Sequence, residues 1–181
     1  MSSRLTDEIL AVVSFLFGLF ILVALTSHHP WDPSPFTTAR DGVAVVNVTG
    51  LAGAWVSDVL LQLFGGTSYL LPLFLGIYSA RRFFGRERSF PALKLVALST
   101  FFLSFALFLS LVGRHAGFVV KGLDAGGMVG HQLSDTLRRL LSDAGTYMFC
   151  LGSLVVSAMV VVPLSLMDLS RGIRFRLERF C

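Results

Sequence analysis

Long apolar runs alternate with short polar segments along this chain. Ile9 to Thr26 carries no charge over about 18 residues, enough at 1.5 Å per residue to cross a hydrocarbon core. Three further runs, about 67–84, 91–112 and 144–167, are of similar length. Arg81 and Arg82 sit at the end of the second run and Lys94 near the start of the third, where their stems reach the headgroups. Two shorter stretches, about 51–64 and 128–142, lead into the second and fourth runs. In the latter, Val129, Leu133, Leu137, Leu140 and Leu141 share one helical face, and His131, Asp135, Arg138, Arg139 and Ser142 the other. The pattern predicts an all-α integral membrane protein with four transmembrane helices and two short outer amphipathic helices. Gly65-Gly66 is the expected break before the second span. One continuous span from Val59 to Ala80 is the alternative, disfavoured because Arg138 and Arg139 make burial of the equivalent second helix costly.

The two short helices read as copies of one another. Gly50, Gly53, Ser57, Asp58, Leu60 and Leu63 align with Gly127, Gly130, Ser134, Asp135, Leu137 and Leu140, both following G-x-x-G-x-x-x-S-D-x-L-x-x-L. Each copy follows an apolar run and a polar loop and opens another apolar run, so the chain reads as a unit of span, loop, helix and span used twice. Both units start on the same side, which predicts a pseudo-two-fold axis along the membrane normal. The first helix, with only Asp58 and Gln62 as a polar stripe, is expected to be buried. The second is expected to face water or headgroups, with Asp135 and Arg139 forming a weak pair four residues apart.

At 54% hydrophobic and 14% charged residues, the composition excludes a soluble domain. The net charge of +4 does not point to nucleic acid, because most cations flank apolar runs, as topology signals do. Ten of them, Arg4, Arg81, Arg82, Arg86, Arg88, Lys94, Arg171, Arg174, Arg176 and Arg179, fall on one side. Five, Arg40, Arg114, Lys121, Arg138 and Arg139, fall on the other. The richer side is expected to be cytoplasmic, which places both termini inside and both short helices outside. No cleavable signal peptide is expected, since no small-x-small site follows the first run.

Reactive chemistry is sparse. No charge sits mid-span, which disfavours an ion-coupled transporter, and no phosphate loop, H-E-x-x-H or G-x-S-x-G occurs. Cys150 and Cys181 support no disulfide framework. His28, His29, His115 and His131 read as interfacial residues rather than metal ligands. No catalytic, cofactor-binding or metal-binding residue is expected. The candidate structural or partner contacts are Gly50 and Gly53 for close helix approach, Trp55 as an interface anchor, Asp58 and Asp135 as helix-orienting groups, and the outward Arg138 and Arg139.

Three segments carry a family resemblance. Ser27, Pro30, Asp32, Pro33 and Ser34 follow the first span as S-x-x-P-x-D-P-S. Asn47, Gly50, Gly53, Ala54, Trp55, Asp58 and Leu60 form N-x-x-G-x-x-G-A-W-x-x-D-x-L, followed by Phe64-Gly65 and Tyr69-Leu70-Leu71-Pro72. Gly126-Gly127-Met128-Val129-Gly130 reads as G-G-x-[IV]-G. Over about Ile9 to Met167 the chain resembles the N-terminal four-span membrane region of the FtsK/SpoIIIE DNA translocases. Pro35-Phe36 departs from the pattern, in which an aromatic often directly follows D-P-S. The resemblance implies a single membrane domain over 1–181, without the linker and ATP-driven motor, whose activity is not carried over. It also implies a bacterial inner-membrane location at the division septum and a homo-oligomer of six copies. Divisome membrane proteins and the lipid bilayer would be its partners, with no direct nucleic acid binding. The alternative function is a small oligomeric membrane pore or transport subunit.

Overall fold

The computed structural model describes residues 2–36, 44–85, 92–117 and 119–161. Helix α1 spans Ser2–Thr26, α2 Gly50–Phe64 and α3 Leu70–Phe83. Helix α4 spans Ala92–Ala116 and α5 Gly127–Val161. Strands β1 (Val119–Val120) and β2 (Leu123–Asp124) form a small antiparallel hairpin before α5. Four helical stretches are long and apolar enough to cross a membrane: Arg4–Thr26, Gly50–Phe83, Ala92–Ala116 and Gly127–Val161. Arg40, Arg86, Arg88, Pro91, the end of the fourth run to Met167 and the basic tail with Cys181 lie outside the described residues.

The helices form two hairpins. In the first, α1 packs along α3, with α2 over its end; Ser79 Oγ donates to the Ala11 carbonyl at 2.6 Å and Arg82 pairs with Asp7 at 2.8 Å. In the second, α4 packs along α5, where Ser104 and Ser153 hydroxyls meet at 2.8 Å. Small hydroxyl residues let the backbones approach closely and supply bonds that lipid cannot. Each hairpin has its own small core: Ile21, Leu25 and Leu61 in the first, Leu107, Leu111 and Cys150 in the second. The outward faces remain apolar, as in Val13, Leu16, Val96 and Val156, because their solvent is hydrocarbon.

The second span enters through a break. Gly65 adopts φ 55° and ψ −135°, and residues Gly65–Tyr69 form one 3-10 segment before α3. The break leaves α2 carbonyls without helical partners; the Gly65 amide reaches the Leu61 carbonyl and Ser68 Oγ donates to Leu60 at 2.6 Å. It also joins the hairpins: Gly66 N–H donates to the Ala125 carbonyl at 2.8 Å, and a Cβ on Gly65 would stand 2.4 Å from that same oxygen.

Several details differ from the sequence pattern. Residues 128–142 and the fourth span run on within α5 but are parted by a kink at Ser142, whose backbone is non-helical (φ 60°, ψ 177°), at the expected boundary between them. The bond from Thr146 Oγ1 to the Ser142 carbonyl, and the Arg138–Asp143 pair bridging the kink, brace it. Leu140 is 74% exposed, and Leu141 beside the kink is exposed as well, so the packed face is carried by Leu133 and Leu137 against Leu107 and Leu111 of α4. Helix α4 continues past Val112 to Ala116, and α1 starts at Ser2. The polar segment that the sequence places between the third span and the second short helix contains the β1–β2 hairpin.

Candidate functional site

The family-like segments after α1 and before α2 fold against one another into a polar lock at one end of the bundle. Pro30, Pro33 and Pro35 hold the loop out of helix, and Asp32 turns back so that its carboxylate accepts from the amides of Val46 at 2.7 Å and Asn47 at 2.9 Å. Asp32 and Asn47 are both almost fully buried. Asn47 spends both ends of its amide: Nδ2 donates to the Ala24 carbonyl at 2.9 Å, while Oδ1 accepts from Thr49 N–H, Thr49 Oγ1 and Ser27 Oγ at 3.0, 2.6 and 3.1 Å. A buried amide so fully satisfied fixes the chain around it.

The two candidate glycines belong to this lock. Gly50 opens α2 at φ +72°, in the left-handed region that side chains avoid. Gly53 packs so tightly on the Asn47–Thr49 turn that a Cβ there would lie 1.5 Å from Thr49 Oγ1. One turn further, buried Ser57 meets His28 Nδ1 at 3.1 Å, and buried Asp58 accepts from Ser34 Oγ at 2.6 Å and Gln62 Nε2 at 3.4 Å. A serine beside a histidine resembles a nucleophile pair. Here the hydroxyl is wholly buried and donates to Ala54, so no substrate reaches it and the contact is structural. Burial pushes the His28 pKa below its ordinary 6.5, with the Lys121 charge adding to the effect. Trp55 lies on the opposite side of α2, half exposed, beside exposed Leu51.

Lys121 fastens the second hairpin to the first. It occupies the tip of the β1–β2 turn at φ 51°, followed by Gly122 at φ 83°, the left-handed pair a two-residue hairpin requires. From there its ammonium donates to the carbonyls of Leu25, Thr26 and His28 at 2.8, 3.0 and 3.2 Å. These belong to the end of α1, where unsatisfied carbonyls and the negative end of the helix dipole favour a cation. The sequence reads His28 only as an interfacial residue and Lys121 only as a topology charge; for the turn, a Lys-Gly pair between two β-branched residues and Leu-Asp is the available signal.

On α5 the polar face is arranged differently. Asp135 pairs with Arg114 at the end of α4 (2.6 Å), not with Arg139, because the neighbouring helix brings a guanidinium closer than the next turn does. His131 stands 3.4 Å from both Asp124 and Asp135. Arg138 pairs with Asp143, and Arg139 is exposed. Ser134 is fully buried, like its repeat counterpart Ser57, yet Asp58 is buried and Asp135 is open to solvent. The candidate residues thus fall into two groups: Gly50, Gly53 and Asp58 inside the lock, with Trp55 on its outer surface, and Asp135, Arg138 and Arg139 on α5. Gly126 and Gly130 of the third segment press on α4, where Cβ atoms would lie 2.2 and 2.4 Å from the Ala106 carbonyl. Among the described residues, no group of three His, Cys, Asp or Glu side chains is placed to hold a metal ion.

A family model described as the 4TM region of DNA translocase FtsK/SpoIIIE matches residues 3–174. Among curated proteins, the DNA translocase FtsK of Rickettsia prowazekii is 35% identical over 83 residues, which is 46% of this chain and 11% of that protein. The FtsK of Shewanella oneidensis is 26% identical over 144 residues, 77% of this chain and 16% of its own length. That of Rickettsia typhi is 25% identical over 179 residues, 96% of this chain and 22% of its own length. The chain therefore spans between 11% and 22% of these relatives. No solved structure matches it. With four membrane-crossing stretches and the lock built from the matching segments, the chain belongs to the family of the four-span membrane region of the FtsK/SpoIIIE DNA translocases.

Proposed function

We propose that this chain is a single, non-enzymatic membrane domain that anchors a DNA translocase in the bacterial inner membrane at the division septum. Both termini face the cytoplasm, and the lock and the polar face of α5 face outward. The domain assembles as a homo-oligomer, six copies by analogy with the family, and contacts other divisome membrane proteins. Nucleic acid is left to the motor. The observation that carries this reading is that the two loop segments resembling the family, Ser27–Ser34 and Asn47–Leu60, are spent on bonding to each other rather than on forming a reactive site. A face whose described polar side chains are spent on bonding to one another suits tethering and docking. Trp55, exposed beside Leu51, and the polar face of α5 at Asp135, Arg138 and Arg139 are the proposed contact surfaces.

The test is a chimera in which this chain replaces the membrane region of a full-length bacterial FtsK. The expected result is normal chromosome segregation and a membrane-bound assembly of several copies on chemical cross-linking. A chimera that sits in the membrane yet leaves cells with unsegregated chromosomes would overturn the anchoring role.

A further inference from the structure

Helix α1 turns one face to its own chain. Ala11, Gly18, Ile21 and Leu25 are buried there, and a Cβ on Gly18 would lie 3.1 Å from Leu75 Cβ of α3. The opposite side carries Leu5, Ile9, Val12, Leu16, Leu19 and Val23, in alternating steps of four and three residues. The first five are 45% to 60% exposed. All six are aliphatic, and Phe15 and Phe17 fall to either side of the row. Lipid accepts apolar side chains in any order, whereas a neighbouring helix packs on a seam with this 3.5-residue period.

A second apolar surface lies on another face of α3. The hairpins join through Gly66 and Ala125 and through the edge-to-face pairs Phe64–Phe102 and Phe74–Phe101. Beside these contacts α3 and α4 leave a groove of about 730 Å³, walled by Leu71, Phe74 and Leu75 and by Leu98, Phe102 and Leu103. Row and groove match in depth. Ser79 of α3 bonds to Ala11 of α1, Leu75 stands beside Gly18, and Tyr69 Oη donates to the Leu25 carbonyl at 3.1 Å. The α3 wall of the groove, from Leu71 to Tyr78, is therefore level with the part of α1 where the row runs. Copies that share one membrane and one orientation share that depth, so a neighbour's row meets the groove without sliding along the membrane normal.

We propose that the α1 row of one copy packs into the α3–α4 groove of the next. This rests on the homo-oligomer proposed above and supplies its interface. The incoming helix runs antiparallel to α3 and parallel to α4, and its period suits a left-handed crossing of about 20°. Row and groove occupy different faces of one copy, so the contact is head-to-tail, and a constant rotation closes it into a ring. Pairing of two α1 rows would stop at two copies and leave the groove to lipid. No water is expelled in hydrocarbon, so the gain comes from aliphatic knobs interlocking with a trough of Phe and Leu.

The experiment uses the 181-residue chain with Cys181→Ser in bacterial membranes, buried Cys150 being kept. Two differently tagged forms, one with Leu16→Cys and one with Leu98→Cys, are co-expressed and oxidised with a membrane-permeant catalyst. Disulfide-linked pairs carrying both tags are expected, and few from either form alone. Val156→Cys on α5, 64% exposed and equally apolar, replaces Leu98→Cys as the control and should not link. Val12→Phe with Leu19→Phe thickens the row while keeping it apolar, and is expected to lower the yield about tenfold. Leu10→Phe, the same kind of change off the row, leaves it unchanged. The tagged pair decides even where the double variant fails to insert. Photobleaching steps count the copies per assembly in the same membranes. Links between two Leu16→Cys chains, or several copies without the link from position 16 to 98, would overturn the interface and leave the homo-oligomer standing. Single copies throughout would overturn both.

Discussion

Asn47 is the most connected polar side chain of the lock, and its truncation gives the sharpest test of how the lock works. Asn47→Ala removes the short bonds to the Ala24 carbonyl, to Thr49 N–H and to Thr49 Oγ1. At about 1 kcal/mol net for each, plus about 1 kcal/mol for stranding the Ala24 carbonyl, the expected loss is about 4 kcal/mol. The longer contact to Ser57, at 3.4 Å, adds little. Asn47→Asp separates the two halves of the amide. It keeps the acceptor facing Thr49 but sets a carboxylate against the Ala24 carbonyl, so it recovers little of the loss. Val48→Ala, at a 78% exposed neighbour, is the control and should lie within about 0.5 kcal/mol of the parent. Unfolding in mixed micelles, followed by tryptophan fluorescence from Trp31 and Trp55, reads all three. If Asn47→Ala were as stable as Val48→Ala, the lock would be a decoration on a bundle held by its spans alone.

Three other consequences are measurable. Gly130→Ala should cost about 1–3 kcal/mol, because its Cβ would press on the Ala106 carbonyl, whereas Gly76→Ala, with open space around it, should cost nothing; equal melting temperatures would contradict the crossing. His28 has a depressed folded-state pKa, so the unfolded chain takes up the proton first as pH falls below about 6.5. Stability is therefore full above that value and declines on acidification through the folded pKa, and His28→Gln should flatten this part of the profile. In a chain with Cys181→Ser, a cysteine at Val48 should react with an impermeant maleimide from outside the cell and one at Phe84 only after permeabilisation; the reverse pattern would invert the proposed topology.

The sequence pattern carries some of these features and conceals others, for identifiable reasons. Four apolar runs are legible because hydrocarbon imposes a length and an absence of charge that no soluble helix shares. The break at Gly65 was readable because only glycine tolerates its positive φ without strain. Ser57 and Ser134, matched by the repeat, share complete burial, but Asp58 and Asp135 do not share an environment. Spacing along one helix cannot reveal that Arg114, twenty-one residues before Asp135, lies nearer to it than Arg139 does. In the sequence Lys121 reads only as a topology charge. Its role as a cap on α1 depends on a hairpin turn that aims it across some ninety residues of chain. The contact between Asp32 and the Val46 and Asn47 amides is of the same kind, a long-range bond between two loops that each look merely polar.

The central claim is that this domain anchors a translocase at the division site, and imaging tests it most directly. The chain, carrying a fluorescent protein at its C-terminus, is expressed in dividing bacteria. The account predicts a fluorescent band at midcell that coincides with the constricting septum and weakens when Trp55→Ala is combined with Arg138→Gln and Arg139→Gln. Uniform fluorescence around the envelope, from a fusion shown to be intact and inserted, would contradict it.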